Sequence, residues 1–233
     1  MRLAEMNWMQ VQEHVKHDQR AVLPLGSTEQ HGYLSLCVDV ILAERVAIEA
    51  AQPIKVPVYP TINYGFTPSF VDYPGTVSLR LSTLCALMCD ILDHMVRTGF
   101  RQIVIVNGHG GNGPAHGAIL EWLDRNRGVQ VKWHNWWNSP RTLAKVKEID
   151  PLASHASWME NLPWTRLADA PMPTEAKPMI DIAKYQRIDP GAKKALIGDG
   201  NFGGLYQRPD AELMAMWDVA VAETRALIES DWD

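Results

Sequence analysis

Apolar and polar positions fall in blocks along this chain, and their period switches between helical and extended. Residues 7–17 carry apolar side chains at helical spacing on one face, which predicts a first helix with His14 and His17 facing solvent. Ala21 to Leu25 is a short apolar run and reads as a buried strand. A helix from Val40 to about Ala51 follows, with Asp39 where an N-cap would sit. Ile54 to Tyr59 reads as a second strand and runs into a Gly/Pro-rich loop that ends near Pro68. Between about Thr83 and Arg97, Leu84, Leu87, Met88, Ile91, Leu92 and Met95 recur on one helical face, and Gly99 stops the helix. Gln102 to Val106 is an unbroken β-branched run of the kind found in a central parallel strand buried on both faces. A helix from about Ala115 to Asn126, a strand over 129–133 and a last helix from about Ala211 to Glu229 complete the pattern. The Pro-rich stretch 163–192, with only short helical segments, reads as a surface excursion or a subunit contact.

Strands alternating with helices predict an α/β fold with a mostly parallel sheet covered on both sides, built as a single domain over residues 1–233. In such folds ligands bind beyond the carboxyl ends of the strands. Composition changes this picture little. At 46% hydrophobic and 21% charged the chain is ordinary for a globular protein, and 233 residues can bury a substantial core. The net charge of −5, with no Lys/Arg cluster, argues against a nucleic-acid partner. No segment is long and apolar enough for a signal peptide or a bilayer span, so no membrane partner is expected. The three cysteines, Cys37, Cys85 and Cys89, are odd in number, and the last two fall four apart on a helix. This usage points to a reducing, cytoplasmic compartment.

Candidate chemistry gathers where strands end. After the first strand comes Gly26-Ser27-Thr28-Glu29-Gln30-His31-Gly32, in which a carboxylate and an imidazole sit two residues apart between glycines. Those donors suit a borderline cation such as Zn²⁺ or Mn²⁺. Asp39 is close enough in sequence to join them, and capping and metal binding need not exclude each other. After the central strand comes Asn107-Gly108-His109-Gly110-Gly111-Asn112-Gly113. A Gly-rich turn before a helix can cradle a phosphate, but the glycines do not follow G-x-G-x-x-G, and such a cradle needs no central histidine. Trp136 and Trp137 follow the next strand. With Trp158 they are candidate walls for a flat substrate, although tryptophan is more often core.

Taken in order, the Gly26–Gly32 block, Asp39, Tyr73-Pro74-Gly75-Thr76-Val77-Ser78-Leu79 and the Asn107–Asn112 block resemble the successive signatures of the creatininase (creatinine amidohydrolase) family. His155-Ala156-Ser157-Trp158-Met159-Glu160-Asn161 is similar to its later His-Ala-Gly-Glu-x-Glu-Thr block, and Ile197-Gly198-Asp199-Gly200 to its C-terminal Gly-Asp-Pro. The resemblance covers most of residues 20–205. It implies a three-layer α/β/α sandwich, a homo-oligomer (commonly a hexamer) and a hydrolytic site for a small-molecule substrate holding two divalent metal ions. Those ions would be Zn²⁺ and/or Mn²⁺, with Fe²⁺ as a further candidate.

By that resemblance Glu29, Asp39 and His109 hold one metal, His31 and Asp39 the second, and Asp39 bridges. The family's named enzyme takes a fifth ligand from a Glu two residues past the block's histidine, where this chain has Gly111. Glu160 is the expected replacement, as ligand and catalytic group, and His155 is the expected acid/base. Thr76, Gly110, Trp136 and Trp158 are the expected substrate-binding residues. Phe70 and Trp158 stand where many members have His and Glu, which makes the pocket more aromatic and implies a substrate other than creatinine. The implied reaction is hydrolysis of a cyclic amide or related C–N bond by activated water, with a histidine as proton donor. Two alternatives stay open: C–C hydrolysis of a cyclic diketone, as in cyclitol breakdown, and a small-molecule-binding protein without activity.

Overall fold

Leu25, Asn107 and Asn135 lie in one row across the sheet, so the three polar segments that follow them leave from the same edge. A computed structural model describes residues 1–232. Its sheet has three parallel strands in the order β1 (Arg20–Leu25), β2 (Gln102–Asn107) and β3 (Gln130–Asn135). Eight α-helices surround it: α1 Trp8–His14, α2 Val38–Ala51, α3 Leu81–Arg97, α4 Ala115–Arg125, α5 Pro140–Ile149, α6 Ile182–Tyr185, α7 Pro190–Ile197 and α8 Asp210–Glu229. None of the described helices is long and apolar enough to cross a membrane.

Because successive strand residues face opposite ways, β1 and β2 feed two cores. Val22, Val104 and Val106 pack with α2, α5 and α8 on one face. Ala21, Leu23, Leu25, Ile103 and Ile105 pack with α3 and α4 on the other. The result is the layered α/β arrangement expected from the alternation of elements.

Three local expectations are corrected. Residues 54–59 form no continuous strand. Val58, and Ile62 just beyond, flank β1 through isolated parallel bridges, because Pro57 and Pro60 bring no N–H to a ladder. Pro24 faces this irregular flank, its carbonyl accepting from Ile62 N–H, so its missing donor leaves the pairing with β2 intact. Asp39 is not the N-cap of α2. The helix starts at Val38 after Cys37, and the Asp39 carboxylate lies in the first turn. Finally, 163–192 is more than a surface excursion, since Tyr185 lines the cavity at the sheet edge.

The helix α5 has no counterpart in the periodicity. Ser139 makes no side-chain cap, and Glu223 on α8 does the capping from a distance. Its carboxylate accepts from Ser139 Oγ (2.7 Å), Thr142 Oγ1 (2.8 Å) and the N–H groups of Arg141 (2.9 Å) and Thr142 (2.8 Å). A carboxylate at a helix N-terminus satisfies orphan donors and opposes the macrodipole.

Candidate metal centre

The sheet edge brings Glu29, His31, Asp39, His109, His155 and Glu160 together in three overlapping groups: Glu29–Asp39–His109, His31–Asp39–Glu160 and Glu29–His31–His155. Three glycines make the close packing feasible. A Cβ at Gly26 would sit 2.7 Å from the Val40 backbone, and one at Gly108 2.3 Å from Asp39 O, so both strand ends press directly on the first turn of α2. A Cβ at Gly111 would sit 2.3 Å from both His109 Nε2 and Phe66 O. Position 111 is therefore closed to any side chain in this arrangement.

Each imidazole is oriented by a carbonyl. His109 Nε2 meets Phe66 O at 3.1 Å, so it donates there and turns Nδ1 toward Asp39 Oδ2 (3.0 Å) and Glu29 Oε1 (3.2 Å). His31 Nδ1 meets Glu29 O at 3.3 Å, leaving Nε2 beside Asp39 Oδ1 (3.1 Å) and Glu160 Oε2 (3.9 Å). Asp39 thus gives one oxygen to each imidazole, and its Oδ2 also accepts from Ser27 Oγ at 2.7 Å. Asn107 and Asn112 hold the His109 loop. Asn107 Oδ1 accepts from His109 N–H, and Asn112 Nδ2 donates to Asn107 Oδ1 and to Gly26 O. Neither asparagine was expected as a functional residue, although their spacing around the histidine was visible.

Charge is concentrated without being spent. Both Glu29 carboxylate oxygens and His31 Nε2 are buried and lack a properly directed hydrogen bond. Their neighbours lie near 3 Å but off the hydrogen-bond direction, as expected of donors aimed at a shared point. Ligand atoms at about 2.0–2.2 Å from one cation sit roughly 3.0–3.5 Å apart, and the observed 3.0–3.2 Å separations agree. Carboxylate and imidazole donors in this number fit a divalent ion such as Zn²⁺ or Mn²⁺.

Burial opposes the imidazolium of His31, but Asp39, Glu160 and Glu29 outweigh it and raise its pKa to about 10. His109 is raised well above its usual range in the same way by Glu29 and Asp39. Asp39 is held below the usual carboxylate range by the two imidazoles despite its burial. Burial pushes Glu160 up to about 7, although its Oε2 accepts from Ala156 N–H at 2.6 Å. Protons therefore occupy His31 and His109 when no cation is present. Loading with Zn²⁺ should expel them, and apparent affinity should rise with pH through neutrality as pH approaches the raised His31 pKa. Calorimetry in buffers of different ionisation enthalpy measures this directly. Affinity independent of pH, with no proton released, would exclude the imidazoles from the coordination.

His155 is held among aromatic rings. It stacks on Phe70 (4.8 Å, 18°) and tilts against His31 (4.4 Å) and Phe202 (5.0 Å). Burial, with His31 beside it, lowers its pKa well below the usual value, so the ring is neutral. Gln30 lies against Nε2 of the ring, its carbonyl oxygen at 3.2 Å and its amide nitrogen at 2.8 Å, so Nδ1 is the ring atom that faces the Glu29 side.

The cavity above these groups has a volume of about 490 Å³. Gly110 lines it, as do Glu29, Asp39, His109, His155 and Glu160. Three expected substrate-binding residues do not. Trp136 is core, 5.6 Å from Trp217, because the turn after β3 sends the first tryptophan inward and only Trp137 outward. Trp158 is fully buried in the same core. Thr76 Oγ1 accepts from Gln30 N–H (3.1 Å) and so supports the Glu29–His31 loop instead. Phe66, Thr67, Trp137, Lys147, Tyr185 and Phe202 supply the walls, several from segments distant in sequence.

A profile of the Creatininase family, described as creatinine amidohydrolase, matches residues 4–223. Creatinine amidohydrolase of Pseudomonas putida is 30% identical over 165 residues, 64% of this chain and 62% of the relative. A mycofactocin precursor peptide peptidase of Mycolicibacterium smegmatis is 34% identical over 48% of this chain and 47% of the relative. A 3-dehydro-scyllo-inosose hydrolase of Thermotoga maritima is 31% identical over 45% of this chain and 34% of the relative. The matches thus span under two thirds of these curated relatives. Among solved structures, a tryptophan-to-phenylalanine mutant of creatininase superposes with a TM-score of 0.80 at 23% identity, covering 97% of both chains. A glutamate-to-glutamine mutant of creatininase, of Zn-Zn type, gives 0.77 at 22% identity over 97% of this chain and 96% of the other. With a profile match over nearly its whole length and the same fold, this chain belongs to the creatininase family.

Proposed function

We propose that the chain is a dinuclear metal-dependent hydrolase that cleaves a C–N amide bond of a small molecule. One observation carries this reading: two donor groups, Glu29–Asp39–His109 and His31–Asp39–Glu160, share the two oxygens of one buried aspartate. Glu29 and His109 would hold one cation, His31 and Glu160 the other, and Asp39 both. When bound, such a pair lowers the pKa of water and polarises a carbonyl. The relatives' names, an amidohydrolase and a peptidase, favour a C–N bond.

The chain's own contribution is proton management. Neutral His155 takes a proton from the attacking water as the new C–O bond forms, and passes it to the nitrogen as the C–N bond breaks. Phe70 and Phe202 hold the ring and keep bulk water from it, while Gln30 fixes its orientation. Glu160, poised near neutrality by burial, faces the same space as a ligand or a second proton acceptor.

Metal analysis of the purified protein, with a hydrolysis screen of cyclic amides, linear amides, ureides and cyclic ketones, tests the proposal. Two metals per chain and turnover of an amide are expected. Ring opening of a ketone would reassign the bond to C–C, as the inosose hydrolase among the relatives suggests. Less than one metal per chain with no turnover would leave a binding protein.

A further inference from the structure

A cavity of about 490 Å³ is on the order of sixteen water volumes at ~30 Å³ each, more room than a small ring needs. Its walls are chemically uneven. Beside His155, Phe70, Phe202 and Tyr185 form an aromatic wall, with Tyr185 and Phe202 4.9 Å apart. Elsewhere on the lining stands Lys147, in the last turn of α5, the one lysine or arginine among the described residues that face the cavity. Lys147 forms no ion pair with a described residue, whereas Lys145 on the same helix is paired with Glu148.

Resting on the hydrolase reading, we infer that the substrate is an amide carrying a carboxylate: Lys147 binds that carboxylate while an apolar or aryl group lies on the Phe70–Tyr185–Phe202 wall. His155 packs against that wall, so the group on the leaving nitrogen is the one that lies there. A single ammonium with no arginine fork matches a monoanionic carboxylate, whereas phosphoryl groups are gripped by several donors.

The test uses matched substrates on the metal-loaded protein. One pair are N-benzyl half-amides of succinate and their carboxamides. The other are the corresponding half-amides of glutarate and their carboxamides. In at least one pair the carboxylate member should have a kcat/KM about 10- to 100-fold higher, the range of a hydrogen bond to a charged group. The difference should reside in KM, because Lys147 acts away from the reacting bond. Lys147→Met should erase the preference, so that the carboxylate and carboxamide members of each pair are turned over with equal kcat/KM. Lys147 is exposed and methionine is a good helix former, so the fold should survive. Lys147→Glu should reverse the preference toward an amine-bearing analogue. Equal rates for both members in the native protein would overturn the inference. So would a carboxylate preference that persists in Lys147→Met, since another group would then be reading the charge. Failure to turn over any amide would sink the hydrolase reading itself. Calorimetric titration of the same pairs as ligands, on native and Lys147→Met protein, would then judge Lys147 alone by the same two outcomes.

Discussion

Asp39→Asn is expected to abolish activity by emptying both metal positions while leaving the fold intact. The carboxylate lies 3.0 and 3.1 Å from two imidazoles, one oxygen to each, and is 3% exposed. An amide of the same size can still accept from Ser27 Oγ and fill the same space against α2. It cannot supply the negative charge that would offset two cations held close together, and its nitrogen is no ligand. The expected result is a protein with native circular dichroism, sub-stoichiometric metal and no turnover above background. A variant that binds two metals and turns over normally would reduce Asp39 to a structural residue of the first helical turn.

His155→Ala should instead lower turnover with metal content unchanged. Proton transfer by a positioned group typically contributes about 10²–10⁴-fold, or roughly 3–5 kcal/mol of transition-state stabilisation. KM should move much less. The sign of the pH effect follows from the burial of the ring. Its pKa is lowered well below 6.5, and a cation bound nearby would push it further the same way. The imidazole accepts a proton only while neutral, so its limb lies on the acid side of the profile, with rate falling as pH drops through that pKa. His155→Ala should lose this limb. His155→Gln, which fills the space between Phe70 and Phe202, separates lost chemistry from a collapsed wall. If metal disappears with the imidazole, His155 is a ligand, as its position near Glu29 and His31 would allow. Full metal with near-normal rate would exclude both roles.

Much of the centre was legible because its chemistry is bracketed by glycines at strand ends. Glu29, His31 and His109 stand in short loops where the sequence offers few other donors, and parallel register brings those loops to one edge. Asp39 was legible as a donor but also resembled a cap. Only the start of α2, one residue earlier than Asp39, separates the two roles. The walls were harder to read. Trp136 and Trp137 are adjacent and identical, and which one meets the cavity depends on the rotation of a single turn after β3. Trp158 is in a motif block yet faces the core. The helix α5, which carries Lys147, is capped by a glutamate far along the chain, a partnership that local periodicity cannot reveal. Tyr185 and Phe202 reach the cavity from the Pro-rich excursion and from the loop beyond it, so their role exists only in three dimensions.

The crowding at Gly111 acts as an evolutionary ratchet. A descendant of this chain cannot regain a carboxylate there by one substitution, because a Cβ would collide with the Phe66 carbonyl that orients His109. The 66–70 segment would have to retreat first, loosening the ring before any new ligand arrived. Glu160, the ligand proposed in its place, belongs to the turn that also shapes the cavity wall through Met159. Substrate preference and metal retention therefore draw on the same few residues, and a lineage that reshapes one of them puts the other under selection.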